Sequence, residues 1–398
     1  LNKIISNSEA AKGFRKHGTT GDMAECDELG DWPTKNWHSN SWGKGEKLYN
    51  SFFENNLETN ASCYSGCPIS CGRVAKVDKG KYKTPLHDGA EYESISAFTA
   101  FVLNEDMDVA VHSTYLCDEL GIDTISTGGL IAYAMECYEN GYIGEEHTEL
   151  NLEWGNSDIL PILVKQIANK KGIGKILGQG MKNAINTFGE ETSEYAIHGK
   201  GLEAPAHDPR SGKALAVTYG TATRGMCHMH PLEGMVYDSG KLDFGMSNYG
   251  VPDPKEIDRW EEKGKGKIVA RLQNCSIIPD IVVTCKFFMY VGVEIKDFTK
   301  LISLMTGWDF EVDDILQIGE RTINLQRMFN LREGFGYKDD FLPERVLQIP
   351  EFGDYENIDE CSIKNYKMML DEYYEERAWK KSDGYPKDSK LKELNLNV

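Results

Sequence analysis

The stretches VAVHSTYLCDELG (residues 109–121) and GGLIAYAMECYENGYIG (residues 128–144) carry apolar residues at helical spacing, each with a glycine as its stop. A third stretch of the same form, ILPILVKQIANKKGIG (residues 159–174), follows them. Apolar side chains three or four residues apart line one face of a helix, and glycine commonly ends it. The region that leads up to about residue 195 is therefore predicted to consist of amphipathic helices joined by short turns.

The flanking regions have other patterns. Residues 1–60 are polar and rich in turn signals, which predicts loops with a few short helices, and residues 72–92 are predicted to contain little strand. Residues 196–230 are rich in Gly, Pro and His, so this irregular chain is expected to line a site or lie on the surface. A second helical region begins near residue 254, and its clearest member is ILQIGERTINLQRMFNLREG (residues 315–334).

The overall composition argues against several classes of function. A chain of 398 residues is long enough for two or three domains. Its net charge of −19 argues against nucleic-acid and anionic-membrane partners, because phosphate binding needs clustered Lys and Arg. No apolar run reaches the length of about 18 residues typical of a membrane span, and the N-terminus has no secretory pattern. It also lacks an initiator Met, so we expect a fragment or a processed product in a reducing cytoplasm.

Four cysteines carry the strongest chemical signal. Cys63, Cys67 and Cys71 lie in ASCYSGCPISCGR, and Cys285 lies far downstream in PDIVVTCKFF. Three clustered thiols with a later fourth are typical of a cubane iron–sulfur cluster, whereas zinc sites usually have C-x2-C pairs. The spacing favours a cluster over zinc and makes disulfides a weaker alternative. The other six cysteines are expected to be small buried hydrophobic residues, and they are Cys26, Cys117, Cys137, Cys227, Cys275 and Cys361.

Eight segments together resemble the aldehyde:ferredoxin oxidoreductase family, the tungsten-containing bis-pterin enzymes. A single motif such as EYES is weak, but the whole set occurs in the family's order through almost the whole chain. The segments are CPISCGR, AEYES, CDELGIDTISTG, IAYAMECYENG, KGLEAPAHDPR, TATRGMCHMH, GERTINLQRMFNLREG and EYYEERAWKKSDGYP.

The resemblance implies a mainly α fold with two helical domains of the aldehyde ferredoxin oxidoreductase type. Residues 1–195 resemble the family's second domain, with cluster cysteines and the first pterin loop. Residues 196–398 resemble its third domain, with the active-site histidine, the second pterin loop and the fourth cluster cysteine. The pterin and iron–sulfur site is expected at the domain interface. The family's N-terminal β saddle domain is absent from this chain, so an upstream portion or a separate subunit would supply it.

The resemblance assigns four ligands to a [4Fe–4S] cluster, namely Cys63, Cys67, Cys71 and Cys285. The family has C-x2-C-x3-C where this chain has C-x3-C-x3-C, which leaves ligation by Cys63 open.

The segment DELGID resembles one of the family's two pterin-binding loops and implies contacts from Asp118, Ile122 and Asp123. A carboxylate can accept two parallel hydrogen bonds from pterin ring N–H groups. From the residues alone, these two aspartates are typical of solvated charges at helix ends. In the second loop, Asp280 and Cys285 keep the spacing of the family's D-x-x-G-L-C, and Thr284 replaces Leu.

In TATRGMCHMH, Arg224 resembles a residue that contacts the pterin phosphate or a magnesium-bridged region, a role that suits a bidentate guanidinium. His228 matches the active-site histidine, and His230 replaces a basic residue of the family. Without the resemblance, His228 is typical of a buried histidine bonded to backbone.

Glu93 in AEYES matches the carboxylate close to the tungsten. Glu91 and Glu93 flank Tyr92 and would share a face in an extended segment, so only one is expected to reach the metal. Two exposed glutamates are the ordinary alternative. His112 has no evident partner for an iron site that bridges two subunits, so no such bridge is expected, and a homodimer remains open.

The resemblance implies an oxidoreductase with tungsten (or molybdenum) bis-molybdopterin, a [4Fe–4S] cluster and Mg²⁺ between the pterin phosphates. It would oxidise a small aldehyde to a carboxylic acid and pass electrons to ferredoxin or a similar acceptor. Glu93 would act as general base on water, and His228 would donate to the carbonyl oxygen. The alternatives are the catalytic subunit of a related tungsten enzyme that reduces aryl-CoA thioesters, and a non-catalytic iron–sulfur electron-transfer module.

Overall fold

Helices dominate the part of the chain that the computed structural model describes, residues 1–230 and 235–396. This confirms the predicted mainly α class. The α-helices are α1 (Asn2–Asn7), α2 (Glu9–His17), α3 (Met23–Leu29), α4 (Gly45–Asn55), α5 (Tyr92–Phe98), α6 (Met107–Leu120), α7 (Thr124–Glu139), α8 (Leu160–Asn169), α9 (Gly174–Leu177), α10 (Met181–Phe188), α11 (Lys213–Thr221), α12 (Met235–Asp238), α13 (Lys265–Ser276), α14 (Ile278–Ile281), α15 (Phe287–Tyr290), α16 (Ile295–Thr306), α17 (Val312–Arg332), α18 (Tyr366–Glu376) and α19 (Asp388–Glu393).

Short strands and 3₁₀ turns complete the fold. The strands are β1 (Leu57–Ala61), β2 (Gly72–Ala75), β3 (His87–Asp88), β4 (His198–Gly199) and β5 (Leu202–Glu203). They form an antiparallel sheet of order β1-β2-β3 and a separate β4-β5 pair. The 3₁₀ turns are Thr19–Asp22, Ala100–Val102, Ser157–Ile159, Glu190–Tyr195, Ser247–Tyr249, Pro254–Glu256, Tyr337–Asp340, Glu344–Leu347 and Asp359–Cys361.

The chain divides into two compact units. The N-terminal unit contains Ala11–Asp208 and Pro343–Ser362, and the C-terminal unit contains Leu1–Ala10, Pro209–Leu342 and Ile363–Val398. The domain boundary expected near residue 196 stays a prediction. No helix in the described ranges combines the length and the apolar character that a membrane span requires.

In the N-terminal unit, local sequence fixes the ends of α6 and α7. The Asp106 carboxylate accepts the backbone N–H groups of Asp108 and Val109, which caps α6, and Gly121 ends this helix with a φ of 68°. Asp123 caps α7 by accepting the N–H of Ser126 at 2.6 Å. Side-chain caps of this kind satisfy N–H groups that have no partner within the helix.

Helix α7 differs from the amphipathic helix that was predicted, because its residues 127–137 are all buried. It packs against α5 at Gly128, where an added Cβ would collide with the backbone of Ala97. The close approach of these two helices therefore requires glycine at this position, and α7 forms the centre of the unit.

A buried charge attaches the segment 343–362 to α7. Both carboxylate oxygens of Glu136 lie 2.6 Å from the Arg345 guanidinium, and His38 and Asn36 also contact this carboxylate. Burial raises the pKa of Glu136, but these hydrogen bonds and the arginine charge outweigh it and hold the pKa below its usual value. Breaking a buried pair of this kind leaves an uncompensated charge.

In the C-terminal unit, α13 packs against α11, α17 and α18. Gly319 on α17 meets the backbone of Asn274 so closely that no side chain fits between the two helices. The Arg327 guanidinium is buried, bonds Asp340 at 2.9 Å and donates to the Tyr374 hydroxyl at 2.6 Å. The motif at 319–334 thus supplies core packing in this unit.

Candidate functional site

The three clustered cysteines lie on the connection between β1 and β2. Ala61 pairs with Gly72, so residues 62–71 form the loop of this hairpin. Cys63 is exposed, while Cys67 and Cys71 are partly buried. The two strands that flank the cysteines were not predicted from the sequence.

Several contacts hold this loop in place. Ile69 is fully buried, and Arg15 donates to the carbonyl oxygens of Pro68 and Ile69. The Ser70 backbone N–H points at Cys67 Sγ at 3.4 Å. Accessible thiols with N–H···S contacts suit an iron–sulfur cluster, whose potential depends on such hydrogen bonds. The loop therefore fits the predicted group.

The fourth predicted ligand, Cys285, is exposed and belongs to the C-terminal unit. It follows the short helix α14, and the Thr284 N–H closes the turn by donating to the Pro279 carbonyl at 2.9 Å. Val283 in this turn has a φ of 56° and is 93% exposed. No disulfide joins any of the ten cysteines, and the other six are buried as expected.

Two predicted residues of the C-terminal unit, His230 and Asp280, form a pair. His230 Nδ1 lies 3.2 Å from Asp280 Oδ2, and Lys286 Nζ lies 2.8 Å from the same oxygen. Burial raises the pKa of Asp280, but hydrogen bonds from His230 and Lys286 outweigh it, so the pKa lies below its usual value. Lys286 was not among the predicted site residues, although it follows Cys285 directly.

Helix α17 positions the segment that carries Arg224 and His228. The Thr223 hydroxyl donates to Gln326 at 2.9 Å, and the Asn330 side chain donates to the Thr223 carbonyl at 2.7 Å. Arg224 is exposed and His228 is partly buried.

The predicted first pterin loop connects α6 to α7. The Asp123 carboxylate serves as the α7 cap, and the Ile122 N–H donates to the Cys117 carbonyl at 3.0 Å. Partial burial raises the pKa of Asp118 to about 6, and the carboxylates of Asp88 and Glu119 add to the rise. Asp118 also lies beside Gly89, close in sequence to the AEYES segment.

The AEYES segment is helical where an extended segment was expected. Glu91 is the N-cap residue of α5, whereas Glu93 lies within its first turn, so the two do not alternate as in a strand. The Thr19 hydroxyl donates to Glu91. The Arg73 guanidinium interacts electrostatically with both Glu91 and Cys71. Glu91 thus has a structural role, which leaves Glu93 as the candidate acid–base group.

Glu93 is largely buried, and the Ala206 backbone N–H donates to its Oε2 at 2.7 Å. Burial raises the pKa of Glu93 to about 7, although His207 and the Ala206 hydrogen bond oppose the rise. A carboxyl group that titrates near neutral pH can both take up and release a proton.

The structure adds two residues to this site, His207 and Asp31. His207 Nε2 lies 3.7 Å from Glu93 Oε1, and its Nδ1 lies 2.7 Å from Asp31 Oδ2. His207 stands in the family-like segment KGLEAPAHDPR, where its residue type could have indicated it. Asp31 lies in a polar turn-rich region with no local signal.

Comparison with known proteins agrees with the mainly helical fold. The family model for "Aldehyde ferredoxin oxidoreductase, domains 2 & 3" matches residues 1–396. The tungsten-containing aldehyde ferredoxin oxidoreductase of Pyrococcus furiosus is 32% identical over 402 residues, and that of Thermococcus kodakarensis is 33% identical over 405 residues. Both alignments cover 100% of this chain and 62% of the relative, so the chain spans less than two thirds of the length of these relatives.

Among solved structures, the active site complex BamBC of benzoyl coenzyme A reductase, in complex with 1,5-dienoyl-CoA, has a similar fold. The TM-score is 0.69 at 19% identity, with 96% of this chain and 59% of that chain covered. This likeness supports the mainly helical fold alone.

Proposed function

Because the chain belongs to the aldehyde ferredoxin oxidoreductase family, we propose that it forms the catalytic part of a tungsten- or molybdenum-pterin oxidoreductase that oxidises a small aldehyde to a carboxylic acid. The single observation that carries this proposal is Glu93, a largely buried carboxyl group with a pKa of about 7 at the start of α5. An electron carrier needs no such group, whereas attack of water on a carbonyl carbon does.

The proposal assigns the cofactors to residues with suitable chemistry. Bound pterin and metal would supply two-electron redox chemistry, and the [4Fe–4S] cluster would pass the electrons singly to ferredoxin or a similar acceptor. Cys63, Cys67, Cys71 and Cys285 would hold the cluster. The pterins would be held by carboxylate and backbone groups of Asp118, Ile122, Asp123, Asp280 and Thr284. The phosphates and Mg²⁺ would face the basic side chains of Arg224 and His230.

Two residues of this chain would carry out the proton transfer and hydrogen bonding of the reaction. Near pH 7 about half of Glu93 is ionised, because its pKa is about 7. The ionised form would accept a proton from the attacking water. His228 would donate to the carbonyl oxygen of the substrate, which stabilises the charge that develops there.

The proposal includes further parts of the enzyme. The predicted domains, residues 1–195 and 196–398, would each contribute residues to the cofactor site, and a β saddle domain of the family type, in an upstream portion or a separate subunit, would complete it. Reduced thiols on the hairpin loop require a reducing environment, which the cytoplasm provides.

The test uses the complete holoenzyme that contains this chain, isolated without oxygen. About four irons and one tungsten or molybdenum per chain are expected, with reduction of a viologen dye by short aldehydes. Four irons without tungsten or molybdenum would support the electron-transfer module instead. Reaction with an aryl-CoA thioester in place of aldehydes would assign the chain to aryl-CoA reduction.

Glu93→Gln should lower turnover by about 10²–10⁴-fold, because general acid–base groups contribute this much. Glu91→Gln is the matched control, since it keeps the hydrogen bond from Thr19 and lies outside the proposed machinery. Equal turnover in the two variants, at equal metal content, would remove Glu93 from the mechanism.

A further inference from the structure

One short backbone segment, residues 206–208, contacts the start of α5 at several points. The Ala206 N–H bonds the Glu93 carboxylate, and the Ala206 carbonyl accepts the Tyr92 hydroxyl at 2.7 Å. The Tyr92 ring stacks on the His207 ring, with centroids 5.0 Å apart and an interplanar angle of 27°. The His207 ring is thereby held beside Glu93.

Asp31 determines how the His207 ring is protonated. The Asp31 side chain is 1% exposed and accepts the Asp208 N–H on Oδ1 at 2.9 Å. Its Oδ2 lies 2.7 Å from His207 Nδ1. A carboxylate only accepts hydrogen bonds, so Nδ1 must carry a hydrogen and Nε2 is the atom that faces Glu93.

Cys26 also belongs to this buried cluster. Cysteine, aspartate and histidine side chains this close together are of the residue types that can bind a metal ion. The distances favour a hydrogen-bonded pair instead. Two ligand atoms about 2.1 Å from one tetrahedral metal would lie well over 3 Å apart, whereas Asp31 and His207 approach to 2.7 Å. Burial also raises the pKa of the Cys26 thiol to about 12, which keeps it protonated.

We propose that Asp31 and His207 form a positioning pair for Glu93, in which Asp31 orients the His207 ring and the ring, protonated on both nitrogens as the imidazolium, stabilises the ionised form of Glu93. This inference rests on the proposed function, because it assigns the two residues to the same acid–base group. Neither residue is expected to touch the aldehyde. Their effect is exerted through the Glu93 carboxylate.

The electrostatics agree with this arrangement. His207, Asp31 and Asp123 are among the charged groups that act on Glu93. Burial raises the pKa of Glu93 most strongly, His207 lowers it, and the two aspartates raise it. Removal of the His207 ring should therefore raise the pKa of Glu93 and shift the acidic limb of turnover to higher pH.

The experiment compares His207→Gln with the native holoenzyme. Turnover with aldehyde and viologen is measured across pH. The infrared band of the protonated Glu93 carboxyl group is titrated in parallel, and it is identified as the band that Glu93→Gln lacks. Both midpoints should move up by about one pH unit, which is a tenfold change in the ionised fraction. His112→Gln is the control, because His112 bonds only the Tyr82 carbonyl among its described hydrogen bonds and lies outside the proposed site.

If His207→Gln does not assemble with its metals, His207→Asn replaces it, because its amide can still donate to Asp31. Asp31→Asn should lower turnover, because the carboxylate that orients the His207 ring is lost.

Unchanged midpoints in both His207 variants, with turnover lost in Glu93→Gln, would refute the pair and leave the proposed function standing. Full turnover in Glu93→Gln would refute the proposed base, and the pair with it. Loss of turnover by the same factor at every pH in the His207 variants would show a purely structural role and overturn the inference.

Discussion

The pH dependence of turnover follows from the environment of Glu93. Burial raises the pKa of this carboxyl group to about 7, and the ionised form is the proposed base. Each pH unit below the pKa reduces the ionised fraction about tenfold. Turnover should therefore be close to its plateau above about pH 8 and fall to roughly a tenth of it near pH 6.

The assay is aldehyde-dependent viologen reduction by the holoenzyme at saturating substrate. Each sample is returned to the plateau pH and assayed again, so that loss of cofactor is separated from reversible protonation. A midpoint near 6 would point to Asp118, whose pKa is raised by burial and neighbouring carboxylates to about that value. A flat profile from about pH 8 down to pH 5 would refute the reasoning, because no base with a pKa of about 7 could then be limiting.

Two further predictions concern the N-terminal unit. Arg345→Met should lower the free energy of urea unfolding by about 3–5 kcal/mol, because it leaves Glu136 buried without its cation. Lys367→Met, which removes an exposed ion pair, should cost at most about 1 kcal/mol, and equal losses would contradict the assignment. Cys67→Ala should reduce the iron content of the holoenzyme, while Cys361→Ala, at a fully buried cysteine, should retain it. Full iron in both variants would exclude Cys67 as a ligand.

The helices of the N-terminal unit could be predicted because their signals are local. Helices α6 and α7 carry Asp caps, and a glycine lies at or just beyond each C-terminal end. The hairpin around the cysteines could not be predicted in the same way. Its first strand, LETNA, is polar and mostly exposed, and its order comes from pairing with β2 across the loop.

Some residues of the candidate site could be found from short sequence motifs, and others could not, because their partners lie far away in the sequence. The cysteines were indicated by their spacing, whereas Glu93 was identified by resemblance, since a glutamate in an EYES motif is otherwise typical of the surface. The extended geometry expected for Glu91 and Glu93 was wrong because Tyr92–Phe98 folds into a helix. Asp31 pairs with His207 across 176 residues of sequence, so no window of sequence contains both.

The segments that make the resemblance specific serve two different purposes. GERTINLQRMFNLREG on α17 supplies Gly319 for close packing and Arg327 for a buried ion pair. Trp379 of EYYEERAWKKSDGYP donates to Asn324, which also lies on α17. Such contacts restrict which residue types fit at these positions. A match to these segments therefore identifies the fold, whereas the evidence for chemistry rests on the thiols of the hairpin loop and on the carboxyl group of Glu93.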